Sequence, residues 1–131
     1  KPTNARSQMI EKNGYHLILD AYNANPTSMQ HALESFAKSD ANRKIVLLGD
    51  MFELGDDAMK EHQFIADLCT QLNFETIALV GNAFMQTTTP SYVLKFPDTI
   101  TAKEWFQQQN INGATLLLKG SRGMKMELII S

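Results

Sequence analysis

The chain has 131 residues, 44% of them hydrophobic, which suffices for one buried core and leaves little room for a second. Its 12 basic and 14 acidic residues give a formal net charge of -2 and form no basic stripe, which argues against general nucleic-acid affinity. A single cysteine, Cys69, excludes an internal disulfide framework, no apolar run reaches membrane-spanning length, and no signal peptide is visible, so a soluble, reducing setting is expected.

The first residues, Lys1-Pro-Thr-Asn-Ala5, are loop-like and lack an initiator methionine, the pattern expected of a domain taken from a longer protein. Gln8 to Glu11 and Tyr15 to Leu19 flank Asn13-Gly14, a dipeptide favoured in two-residue turns, and predict an antiparallel hairpin. Asn25-Pro26 supplies a helix cap and a first-turn proline, and Met29, Ala32, Leu33, Phe36 and Ala37 follow at helical spacing. Lys44 to Leu48 reads as a strand buried on both faces. A glycine-bounded loop from Gly49 to Gly55 leads to a second helix with Ile65, Leu68, Cys69 and Leu72 on its inner side. Cys69 is expected as a small core residue rather than a reactive thiol.

Thr76 to Val80 repeats the buried-strand pattern and stops at Gly81, the polar stretch Gln86 to Pro90 predicts an exposed loop, and Tyr92 to Phe96 is a weaker strand. Thr101 and Glu104 have the spacing of a capping box for a helix carrying Ala102, Trp105, Phe106 and Gln109 on one side. Ala114 to Leu118 is a last strand, and Met124 to Ile130 a last helix. Strands alternating with helices predict a three-layer, Rossmann-like α/β fold over residues 1–131. Its sheet is mostly parallel with an antiparallel N-terminal edge hairpin, and helices cover both faces.

Ligands of such sheets bind beyond the carboxyl ends of the strands, and the polar segments gather there. Asp20 to Pro26, Gly49 to Gly55, Gly81-Asn82 and Lys119 to Arg122 would share one rim. Lys119-Gly-Ser-Arg-Gly123 lies between an apolar strand and the expected final helix, where its cations and unpaired N–H groups would form an electropositive anion site, although turn geometry and solubility account for the pattern equally well. Asp20 is suited to the hydroxyls of a ribose, and the amides of Asn23 and Asn25 to a base edge or a phosphate. Asn25 has a second reading as a plain helix cap, and Asp20 as a residue that helps satisfy the same turn. Asp50 and Glu53 suit a cation or an amine, and a solvated loop accounts for them equally well. His62 is expected to be partly buried and hydrogen-bonded, with His16 and His31 on the surface.

The segments Asp20-Ala-Tyr-Asn-Ala-Asn-Pro-Thr-Ser-Met29, Gly49-Asp-Met-x-Glu-Leu-Gly55 with His62 downstream, and Lys119-Gly-Ser-Arg-Gly-Met124 with Glu127 resemble the C-terminal domain of the Mur ligases. The likeness runs from about Arg6 to the end, in family order. Within the family it lies nearest to the members that join D-alanyl-D-alanine to UDP-N-acetylmuramoyl-tripeptide, with other Mur or folylpolyglutamate-type ligases as the alternative. It implies a cytoplasmic, monomeric, ATP-dependent amide ligase of peptidoglycan synthesis that works through an acyl phosphate.

The resemblance further implies that Asp20, Tyr22, Asn23 and Asn25 face ATP. Asp50, Glu53, Lys119, Ser121 and Arg122 would face the amino substrate or the reacting phosphate, with Lys119 and Arg122 as the catalytic pair. No metal ligand is assigned to this chain; Mg2+ and the P-loop would belong to a central domain, which with an N-terminal UDP-binding domain lies outside it. No Gly-x-x-x-x-Gly-Lys-Ser/Thr occurs in the chain, so alone it is expected to fold without ligase turnover. Other classes fit less well. A receiver-type phosphoacceptor would need adjacent acids at Asp20 and a hydroxyl residue where Gly81 stands, and a non-catalytic nucleotide-binding module would lack an upstream P-loop domain.

Overall fold

The computed structural model describes residues 8–20 and 23–131, with only the backbone of Gln8. Strands β1 (Gln8–Lys12) and β2 (Tyr15–Asp20) form the N-terminal hairpin, with Asn13 and Gly14 both at positive φ as the tight turn requires. Helix α1 (Pro26–Lys38) follows, then β3 (Lys44–Gly49), a short 3-10 turn (Gly55–Asp57) and α2 (Ala58–Leu72). Next come β4 (Thr76–Val80), the one-turn α3 (Asn82–Met85), β5 (Leu94–Phe96), α4 (Thr99–Phe106) and β6 (Thr115–Lys119).

The six strands are ordered β1-β2-β6-β3-β4-β5, parallel throughout except for the β1-β2 pair. The continuous apolar runs occupy the middle of this sheet. Every residue of β6 and all but the first of β3 and β4 are buried, because helices cover both of their faces.

One core lies under α1 and α2, where Met29, Leu33 and Phe36 meet Val46, Leu48, Ile65 and Ile77, and Phe36 stacks on Phe74 at 5.6 Å. The other lies under α4 and the C-terminal turns, where Ala102 and Phe106 meet Leu47, Leu116 and Leu118, and Tyr15 packs edge-on to Phe106. Cys69 is fully buried in the first core, and burial pushes its thiol up to about 12, so it is an inert core residue. Among the described residues no helix is long and apolar enough to cross a membrane.

Several local expectations are corrected. The segment after β6 winds as two 3-10 turns, Arg122–Met124 and Met126–Ile130, separated by Lys125 in the left-handed conformation. Met126 and Ile129, three residues apart, both turn inward to 1% exposure, a spacing that the tighter turn satisfies. No α-helix therefore projects its dipole at the Lys119 loop.

Helix α4 is capped by Asp98, whose carboxylate accepts the Thr101 N–H at 2.8 Å, and that hydrogen bond lowers the pKa of its carboxyl group. Thr101 thus lies inside the helix, Gln109 beyond its end, and Leu72 on α2 is only partly buried. In the 86–90 loop, Thr87 is buried and bonds the Phe84 carbonyl.

Gly81 (φ +125) has the least room among the described glycines, since a Cβ there would run into the carboxylate of Asp50. At Gly55 (φ +61) the space that a Cβ would take is open, with no atom within 4 Å. Gly81→Ala should therefore cost about 3 kcal/mol and Gly55→Ala about 1 kcal/mol, read from urea unfolding midpoints. Equal losses would contradict this packing.

Candidate functional site

The parallel register sets Asp20 of β2 beside Lys119 of β6, and Lys119 beside Leu48 of β3. The polar segments after β2, β3, β4 and β6 therefore leave the sheet along one edge. At its centre Lys119 is only 1% exposed. Its Nζ donates to the Asn23 carbonyl at 3.0 Å and lies 3.0 Å from Asp20 Oδ1. That approach is an ion pair set off the directions of a hydrogen bond, and buried Oδ1 has no hydrogen-bond partner. The expected electropositive pocket is corrected accordingly. Lys119 is neutralised by Asp20 and turned inward, which leaves Arg122 and Glu53 as the exposed charges of the 49–55 and 119–123 segments.

Asn25 caps α1, its Oδ1 accepting the Ser28 N–H at 2.9 Å while Ser28 Oγ accepts the Asn25 N–H. Asn23 and Asn25 are both exposed. Tyr22 lies outside the described residues. An open groove of about 920 Å³ runs beside Asp20 between β2 and α1, lined by Ile18, Asn25, Ser28, His31 and Phe36 among others.

Asp50, expected to face substrate, is 7% exposed and is occupied within the fold. Its two oxygens accept the N–H groups of Ala83 and Phe84 at 2.9 and 3.0 Å and so satisfy the first turn of α3. His62, fully buried, accepts the Met51 N–H at Nε2 (2.9 Å) and sits 2.7 Å from the Ala58 carbonyl at Nδ1. Those partners select the neutral ring with its proton on Nδ1. The 3.8 Å separation of Nε2 from Asp50 Oδ1 is thus proximity rather than an ion pair.

Ser121 closes the arrangement. Its N–H donates to the Asp50 carbonyl at 3.0 Å, and its Oγ accepts the Phe52 N–H at 2.8 Å. These bonds stitch the segments after β3 and β6 together. Glu53 is exposed and left-handed (φ 63), and Arg122 is exposed on the turn that follows.

The stitch through Phe52, and the way Gly81 makes room for Asp50, were not anticipated from the sequence. Their one visible signal is the bracketing of polar residues by Gly49, Gly55, Gly81 and Gly120. A Cβ on Gly120 would lie 2.9 Å from the Gly49 Cα, so these two segments pass with no room for a side chain. Among the described residues no group of three or more His, Cys, Asp or Glu side chains is arranged to hold a metal ion.

A family model described as Mur ligase, glutamate ligase domain, matches residues 5–122. Among curated proteins, the UDP-N-acetylmuramoyl-tripeptide--D-alanyl-D-alanine ligase of Rickettsia prowazekii is 28% identical over 98% of this chain and 29% of its own length. That of Bacillus subtilis is 27% identical over 99% of this chain and 30% of its own. The crystal structure of MurF from Acinetobacter baumannii superposes with a TM-score of 0.84 at 28% identity, over 99% of this chain and 30% of that one. The chain thus spans about 30% of the length of the relatives it matches.

The buried pair makes a specific energetic demand. Lys119→Met strands the Asp20 carboxylate and should destabilise the fold by about 3 kcal/mol, whereas adding Asp20→Asn to it should restore most of that loss. Chemical denaturation of both variants checks this, and additive losses would contradict a coupled pair.

Proposed function

The chain belongs to the Mur ligase, glutamate ligase domain family, and from that membership we propose that it is the C-terminal domain of an ATP-dependent ligase joining D-alanyl-D-alanine to UDP-N-acetylmuramoyl-tripeptide. The observation that carries this reading is the meeting of Asp20 and Lys119 at 3.0 Å, because it brings the first and last family motifs to one edge of the sheet. The relatives' names give the substrates. Their greater length supports the assignment of P-loop, Mg2+ and UDP-binding functions to further domains. In this reading the intact ligase is cytoplasmic and monomeric.

In the proposed reaction ATP phosphorylates the tripeptide's terminal carboxylate, and the amine of the dipeptide displaces phosphate from the acyl phosphate. Mg2+ would offset phosphate charge, held in this reading by the central domain. The domain's own part is positioning and shielding from water. Asp20, Tyr22, Asn23 and Asn25 face the nucleotide, with the groove beside Asp20 giving room for a nucleoside.

Lys119 acts as a positioning residue, because its ammonium holds the Asp20 carboxylate and the Asn23 carbonyl in the nucleotide-facing segment. Asp50 and Ser121 fix the two segments on which Glu53 and Arg122 stand. Arg122 offers its planar fork to the dipeptide's carboxylate, and Glu53 its charge to the ammonium end before that end loses its proton and attacks.

A charge-assisted contact of this kind is worth roughly ten- to one-hundred-fold in affinity. In the intact ligase Arg122→Ala should raise the KM for D-alanyl-D-alanine by that factor and leave the KM for ATP within about two-fold. Steady-state kinetics checks it, and equal effects on both substrates would refute the assignment.

A further inference from the structure

We propose that Phe52 is the apolar wall against which the side-chain methyl groups of the incoming dipeptide pack, and so a specificity-determining residue of this site. The inference rests on the ligase reading above. Phe52 is 46% exposed and belongs to neither hydrophobic core, although a ring of that size gains much by burial. Its position is nevertheless fixed. Its N–H is held by the Ser121 hydroxyl at 2.8 Å, and Ser121 is held in turn by the Asp50 carbonyl. The ring lies against Gly123, where an added Cβ would come 2.7 Å from Phe52 Cε2. The backbone of Phe52 is thus pinned at the junction of two segments, and its exposed ring, set against Gly123, has no core function to explain it.

The chain neighbours of this ring define the occupant. Glu53 follows Phe52, and Arg122 lies between Ser121, which bonds the Phe52 backbone, and Gly123, which lies against its ring. An anion, a cation and an aromatic surface along one stitched seam complement a small zwitterion with short alkyl side chains. A dipeptide of two alanines has that form: an ammonium end, a carboxylate end and two methyl groups. Arg122 and Glu53 recognise the ends, which every dipeptide shares. Phe52 recognises what lies between, where dipeptides differ.

Burying a methyl group is worth about four-fold in affinity. In the intact ligase, Phe52→Ala should raise the KM for D-alanyl-D-alanine by roughly three- to ten-fold, with kcat and the KM for ATP within about two-fold of wild type. Phe52→Leu, which keeps an apolar surface, should stay near wild type. The preference for D-alanyl-D-alanine over D-alanyl-D-phenylalanine, measured as the ratio of kcat/KM values, should fall in Phe52→Ala as space opens. An unchanged dipeptide KM and preference, or equal rises in both substrates' KM, would overturn the proposal while leaving the ligase reading intact. A wild-type intact ligase that does not turn over D-alanyl-D-alanine would overturn both.

Discussion

The contact between the Lys119 ammonium and the Asp20 carboxylate governs this molecule's edge. Both groups stand at the last position of neighbouring parallel strands, so the sheet's own hydrogen-bond register brings them together. A lysine with 1% exposure in the middle of a sheet would carry a heavy desolvation cost alone, and a carboxylate beside it is the compensation that makes the burial tolerable. The arrangement has a directional consequence. The third partner, the Asn23 carbonyl, belongs to the segment that enters α1, so one ammonium ties that segment to the strand leading into the Ser121 and Arg122 turn.

A second set of bonds builds the other half of the rim around one buried carboxylate that has no cationic partner of its own in this set. Asp50 satisfies the start of α3, His62 receives the Met51 N–H, and Ser121 receives the Phe52 N–H. Side chains that look chemically capable are thereby used to hold backbone, while Phe52, Glu53 and Arg122 stand exposed on the segments so fixed. In the proposed ligase a domain that closes over a reactive acyl phosphate would gain from this division, because the groups proposed to contact substrate stand on segments whose geometry is already set.

The fold could be read largely from the chain because its central strands are buried on both faces and so appear as unbroken apolar runs, and because Asn25-Pro26 marks the start of α1 unambiguously. The C-terminal segment could not. Over seven residues a 3-10 and an α-helical spacing place the same side chains inward, and the left-handed Lys125 that divides the segment has no glycine to announce it. At α4, Asp98 and Thr101 are both good caps by composition, and only the backbone conformation of Asp98 decides between them. For the site, residue types marked the segments that the register gathers along one edge but not their partners. Lys119 reads as an available cation until the register shows what lies on the adjacent strand, and Asp50 reads as a ligand until Gly81 brings the α3 N–H groups onto it.

The role proposed for the buried pair is to hold in place the segment proposed to face the nucleotide, and equilibrium binding of a non-hydrolysable ATP analogue to intact ligase carrying Lys119→Met addresses it directly. Under conditions where the variant is folded, the analogue should bind at least about ten-fold more weakly than to wild type, the effect of losing one well-placed contact of about 1.4 kcal/mol. Wild-type affinity in that variant would contradict the account.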